Sequence, residues 1–199
     1  MTFKEALSRA ESGDPEAMLN VAESLFVGDG VQEDRREAMK WFRLAADKGE
    51  PRHQMRLGAI LCIEPPPIGN FSEGFDLVLR AARRGLPEAQ YFAAAELATG
   101  ESVERNLAFA AEWYRKAAEG GLAEAQYNLG LMYADGEGVP KDTAMALKYL
   151  TLAAERGDIL AMEVLSDAYE RGRLGLIPDS RFGRQWKERA AKAKTLEGE

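Results

Sequence analysis

The chain has one cysteine, Cys62, and one histidine, His53, in 199 residues. A lone cysteine excludes an internal disulfide, so nothing in the sequence calls for an oxidising compartment. Two side chains of these types also fall short of the four Cys or His ligands that structural zinc usually takes. No apolar run approaches the ~20 residues of a membrane span. The start, Met1-Thr2-Phe3-Lys4-Glu5-Ala6-Leu7-Ser8-Arg9, is broken by charges and lacks the apolar stretch of a secretory signal. A cytoplasmic protein is expected, unless a leader was removed ahead of residue 1. Net charge is −7, which suits neither nucleic acid nor an anionic membrane surface, since both need clustered Lys and Arg. Phosphate-cradling loops of the G-x-x-x-x-G-K-[ST] or G-x-G-x-x-G type do not occur. Hydrophobic residues at 46% and charged residues at 30% fit a folded chain and argue against disorder.

What the chain has is self-similarity at a fixed period. Gly13, Gly49, Gly85, Gly121 and Gly157 stand 36 residues apart, without insertion or deletion. Ala10, Ala46, Ala82, Ala118, Ala154 and Ala190 keep the same beat. So does bulk at Trp41, Leu77, Trp113 and Tyr149, with Phe42, Val78, Tyr114 and Leu150 beside it. Such a period is the signature of stacked repeats, and each unit here reads as two helices. The first begins after the glycine, with Pro15, Pro51 or Pro87 in its first turn, where a missing N–H costs nothing. It ends at Gly28, Gly100, Gly136 or Gly172, residues able to take a left-handed C-cap. After a short loop the second helix runs to the next glycine, with Ala146, Tyr149, Leu150, Ala153 and Ala154 on one face of the fourth unit.

The expected fold is therefore all-α: an α-solenoid of five 36-residue repeats at 14–50, 51–86, 87–122, 123–158 and 159–194. An N-terminal half-repeat at 1–13 and a tail at 195–199 complete it, for about eleven helices. End units should differ from the middle. The slot of Trp41 becomes Gln185 and Glu5, and that of Ala45 becomes Arg189 and Arg9, which reads as a capped array. The segment from Arg181 to Lys194 is strongly basic, which suits an exposed end cap better than a docking patch.

The pattern resembles the Sel-like repeat family, relatives of the tetratricopeptide repeats. The fourth unit carries the motif as Ala125-Gln126-Tyr127-Asn128-Leu129-Gly130-Leu131-Met132-Tyr133, then Gly136-x-Gly138-Val139, Asp142, Ala146 and Ala153-Ala154-x-x-Gly157. The first unit has Gly28-x-Gly30-Val31, Asp34, Ala38, Trp41-Phe42 and Ala45-Ala46-x-x-Gly49. The second and fifth depart from it at Glu64–Asn70 and Arg171–Pro178. The resemblance implies a right-handed superhelix that serves as a bacterial-type adaptor or scaffold for a protein or peptide, with the first helix of each unit lining the concave side. By register, that groove is expected at Leu19, Glu23 and Phe26; Met55, Ala59 and Cys62; Tyr91, Ala95 and Ala98; Tyr127, Leu131 and Ala134; and Glu163, Asp167 and Glu170. Apolar anchors are expected at its middle and basic groups of the partner at its acidic ends.

No catalytic residue, metal or cofactor is expected. Cys62 and His53 lie nine residues apart, about 900° of helical turn, hence on opposite faces of a continuous helix. His53 also takes the register of Ala17, Ala89, Ala125 and Ala161, a packing position. The glycine loops at 28–30 and 135–138 lack the spaced carboxylates of a calcium loop. Arg52 and Arg56 have the spacing to grip a carboxylate, though a solvated basic face accounts for them more simply. An inhibitor or immunity-type protein that occludes a toxin or enzyme is the alternative within binding, and a carboxylate-dependent hydrolase the alternative outside it. A monomer is expected.

Overall fold

Most helices in this chain are started by a capping side chain and end on a backbone hydrogen bond. The computed structural model describes residues 2–197. Among them are eleven α-helices and no strand. They are α1 (Phe3–Glu11), α2 (Pro15–Val27), α3 (Arg35–Asp47), α4 (Pro51–Ile63), α5 (Phe71–Arg83) and α6 (Pro87–Thr99). α7 (Leu107–Glu119), α8 (Ala123–Asp135), α9 (Thr143–Glu155), α10 (Ile159–Arg171) and α11 (Ser180–Glu197) follow. Of the tail placed at 195–199, residues 195–197 continue α11; residues 198 and 199 lie outside the described residues, as does residue 1.

The helix starts follow from chemistry at fixed positions. Asp34, Asn70, Asn106 and Asp142 cap α3, α5, α7 and α9, each side chain accepting from an N–H two or three residues on. This satisfies donors that have no partner inside the helix. Asp14 and Asp158 do the same for α2 and α10. Gly28 and Gly136 end α2 and α8 at φ 78° and 80°, a left-handed backbone open to glycine at little cost.

The loops close alike whatever their sequence. The backbone N–H of Asp34, Asn70, Asn106 and Asp142 donates to the carbonyl of Leu25, Leu61, Leu97 and Tyr133, at 2.8–2.9 Å. The proline-rich loop of the second repeat therefore returns the chain to the same place as the glycine loops of the first and fourth.

The chain divides into two compact units, Met1–Ala89 and Gln90–Glu199. In the first, the α2–α3 hairpin packs on the α4–α5 hairpin through Val21, Ala22, Phe42, Ala45 and Leu61. His53 is buried there, as its alanine register implies, with Nε2 3.2 Å from the Glu16 carboxylate. Cys62 faces elsewhere, its Sγ 3.8 Å from the Phe71 carbonyl. In the second unit, Leu150, Ala153, Ala154, Ala161 and Leu165 form the seam between α9 and α10, and α11 closes it with Ala190. The aromatic and aliphatic register holds: Phe42, Val78, Tyr114 and Leu150 are all buried, while Gln185 and Arg189 of α11 are exposed.

α4 and α5 touch backbone to backbone. A Cβ on Gly58 would lie 2.7 Å from the Gly74 carbonyl oxygen, and one on Gly74 would lie 2.6 Å from the Gly58 carbonyl oxygen. On an open helix surface Gly→Ala stabilises by roughly 0.5–1 kcal/mol. Here the sign reverses, because the atom in the way is backbone and cannot rotate aside. Gly58→Ala is expected to cost about 1–3 kcal/mol, the range of an overpacked core, read as a lower midpoint in urea unfolding.

Candidate partner-binding site

The first helices of the repeats present half-buried residues at regular steps. In the first unit, Leu19 is buried, while Glu23, Phe26, Met55, Ala59 and Cys62 are half-buried. Phe26 is occupied by its own neighbours: it meets Phe42 edge-on at 6.0 Å, and the Arg35 guanidinium lies 4.7 Å over its ring. Glu23 accepts a hydrogen bond from Arg56 at 3.0 Å. Arg56 thus grips a carboxylate, and that carboxylate belongs to its own chain.

In the second unit, Tyr91, Ala95 and Ala98 are half-buried on α6, the Tyr91 ring lying 5.7 Å from that of buried Tyr114. Burial pushes the Tyr114 phenol above its ordinary pKa, with Tyr91 adding to the shift. Tyr127, Leu131 and Ala134 on α8 share one hollow of about 650 Å³ with Glu163 and Asp167 on α10. That volume is within the ~300–1,000 Å³ of ordinary ligand clefts. The structure brings these register-matched residues together, and it places Glu170 instead in an adjoining hollow of about 400 Å³ between α10 and α11. The Tyr127 phenol is also raised, first by burial and then by Asp158 and Glu163. It therefore stays protonated near neutral pH.

Seven further residues line the larger hollow that register alone does not supply: Asp135, Lys141, Leu160, Val164, Ala168, Arg173 and Leu174. Leu160 and Val164 sit on the flank of α10, one helical step from the expected row. Lys141 comes from the glycine loop after α8. Arg173 and Leu174 come from the loop in which the fifth repeat departs from the common pattern. Leu174 has φ 55°, an uncommon value for a branched side chain, and its side chain packs on the α9–α10 core. The sequence signal for these last two residues was the departure itself.

Of the acidic side chains expected at this end, Glu163 and Asp167 are paired within the chain. Lys194 Nζ donates to Glu163 at 2.6 Å. Asp167 meets Arg171 at 2.8 Å and Arg173 at 3.1 Å. The partner's basic groups expected at this end would find these carboxylates already engaged. Among the described residues no group of three or more His, Cys, Asp or Glu is placed to hold a metal ion. Nor is any helix of the described residues long and apolar enough to cross a membrane.

Capped helix hairpins stacked at a constant 36-residue step define an α-helical repeat protein of the solenoid class. The Sel1 repeat family model matches residues 15–50, 87–122, 123–158 and 159–194, and the chain belongs to that family. The stretch left unmatched between these repeats is the second repeat, whose α4 and α5 nonetheless keep the step. A Sel1 repeat protein from Oxalobacter formigenes is 32% identical with a TM-score of 0.88, over 96% of this chain and 78% of that one. A protective antigen of uropathogenic Escherichia coli with an SLR fold is 29% identical with a TM-score of 0.91, over 97% of this chain and 41% of that one. Over 88 residues the chain is 35% identical to the chitin synthase regulator SKT5 of Saccharomyces cerevisiae, which covers 43% of this chain. The chain spans only 13% of that yeast protein. Sel1 repeat proteins generally mediate protein–protein interaction, on a fold that is typically non-enzymatic.

One buried group escaped sequence reading. Glu96 stands in the register of Ser24, Ile60, Met132 and Ala168, the last three buried and apolar, and its Oε2 is buried without a hydrogen-bond partner. Desolvation, and secondarily Glu101, raises its pKa above the ordinary glutamate value. A raised carboxylate favours the fold most when protonated, so its contribution is full below the unfolded pKa and is lost as pH rises through the folded one. Glu96→Gln is therefore expected to raise the thermal midpoint at neutral pH, with the gain disappearing as the solution is acidified through the glutamate range. A gain independent of pH would contradict this.

Proposed function

We propose that this chain is a non-enzymatic adaptor that holds a segment of another protein in the hollow between α8 and α10. The observation that carries the reading is the convergence of Tyr127, Leu131, Ala134, Leu160, Val164 and Leu174 on one open cavity. A hollow whose wall mixes apolar and charged side chains suits the side chain of a partner, whose apolar burial releases water at roughly 25 cal/mol per Å². Tyr91 and Ala95 are further members of the proposed binding row in this unit; Met55 and Ala59 hold the same register in the first unit. Leu19 is buried and Phe26 is engaged by Phe42 and Arg35, so both support the row from behind.

The same geometry supports contact rather than catalysis. Glu163 and Asp167 are held by cations, and the Tyr127 phenol is held protonated.

The test is selection of a displayed random-peptide library on the intact chain, followed by calorimetry on the enriched peptides. Leu131 is half-buried and packs against the edge of the α9–α10 core, so Leu131→Arg puts a charge in the wall while leaving the fully buried residues in place. This variant is expected to keep its helical circular dichroism and a cooperative thermal transition, with a modestly lower midpoint, while losing at least about tenfold in peptide affinity. Equal binding by the variant and the parent would overturn the reading.

A further inference from the structure

We infer that the hollow between the start of α3 and the α4–α5 loop is a second docking site, for an acidic protein segment that carries an apolar side chain. This site lies wholly in the first unit and is independent of the α8–α10 hollow. It measures about 380 Å³ and is lined by Arg35, Arg36, Met39, Arg43, Pro67 and Ile68. Among the described residues the wall holds three guanidinium groups, three apolar side chains and no carboxylate. Two of the cations are tied to carboxylates that stand outside the lining. Arg35 meets Glu33 at 2.9 Å and Glu64 at 3.0 Å, and Arg43 holds Glu73 through both of its terminal nitrogens. Arg36 pairs with no carboxylate among the described residues. The neighbouring Glu37 is taken by Lys40 at 2.6 Å, and Asp34 accepts from the Glu37 amide. Lys40, one turn on, feels the Arg36 charge as a repulsion. The one unpaired charge in the wall is therefore positive.

The fold does not ask for these cations. Where α3 begins Arg35-Arg36, the second helices of the next three repeats begin Phe71-Ser72, Leu107-Ala108 and Thr143-Ala144, at the same 36-residue step. An exposed arginine beside a like charge and without a carboxylate adds nothing to the fold through its charge. A partner carboxylate reaching Arg36 makes a pair that did not exist before, and a guanidinium can meet it with two parallel N–H donors. Met39 and Ile68 are half-buried and packed on the core of the first unit, so they form a fixed apolar floor. An apolar side chain docked on that floor removes water from around Arg36, which strengthens the new pair. A nucleic acid or an anionic membrane meets the net charge of −7 as a whole. A short acidic segment feels only charges within roughly a Debye length, ~8 Å at physiological salt, which favours a peptide as the occupant.

Arg36 is exposed, and Arg36→Glu places a carboxylate four residues ahead of Lys40, the order that supports a helix. This variant is expected to keep the circular dichroism and the thermal midpoint of the parent. The experiment selects the displayed random-peptide library in parallel on the parent chain, on Arg36→Glu and on Leu131→Arg. The parent and Leu131→Arg are both expected to enrich peptides with a large apolar residue flanked by Asp or Glu. Their affinity by calorimetry should fall about tenfold or more on Arg36→Glu and weaken with added salt. Absence of an acidic family, or an acidic family indifferent to Arg36→Glu, overturns the second site and leaves the α8–α10 reading to its own variant. Acidic peptides lost on Leu131→Arg alone belong to the α8–α10 hollow and overturn it equally. Tighter binding of single-stranded oligothymidylate or of phosphatidylserine vesicles, lost on Arg36→Glu, overturns the assignment of a protein partner.

Discussion

The structure depends on close approach of helices at positions too tight for anything larger than a methyl group. The alanine row from Ala10 to Ala190 is at most 4% exposed at every member, and Ala45, Ala81, Ala117 and Ala153 are wholly buried. Where even a methyl is too large, as between α4 and α5, the chain uses Gly58 against Gly74. Small side chains set the spacing, and Phe42, Val78, Tyr114 and Leu150 then fill what the spacing leaves. Burial of those larger residues supplies the hydrophobic gain; the alanines and glycines decide where that gain can be collected.

That division of labour explains why the architecture was legible from the sequence. A fixed period forces each small residue, each cap and each bulky partner to recur together, so an error at one repeat is corrected by the others. The second repeat shows how far this reaches. It lacks the glycine loop, carries His53 at an alanine position and falls outside the family match, yet its helices keep the step. Periodicity also placed His53 correctly as a packed side chain, here tied to Glu16.

The candidate site was legible only in part, for a different reason. Register supplied Tyr127, Leu131, Glu163 and Asp167, which the structure brings to one hollow. It could not supply Lys141, Arg173 and Leu174, because loops carry no helical period. Nor could it show that Glu163 and Asp167 are already paired. Lys194 lies 31 residues beyond Glu163 in sequence, and such a partner emerges only once α11 has folded against α10. Glu96 escaped because acidic residues usually read as solvent-facing, and here one occupies a buried apolar register.

The way every loop ends has a consequence for how such a molecule diversifies. An amide at the start of each second helix returns to a carbonyl near the end of the first, so the entry point of that helix is anchored whatever lies between. Residues inside the turn can be exchanged, lengthened or made proline-rich without disturbing the neighbouring hairpins. Because Lys141, Arg173 and Leu174 all come from such turns, a lineage can rewrite the wall of the cavity one segment at a time while inheriting its framework intact.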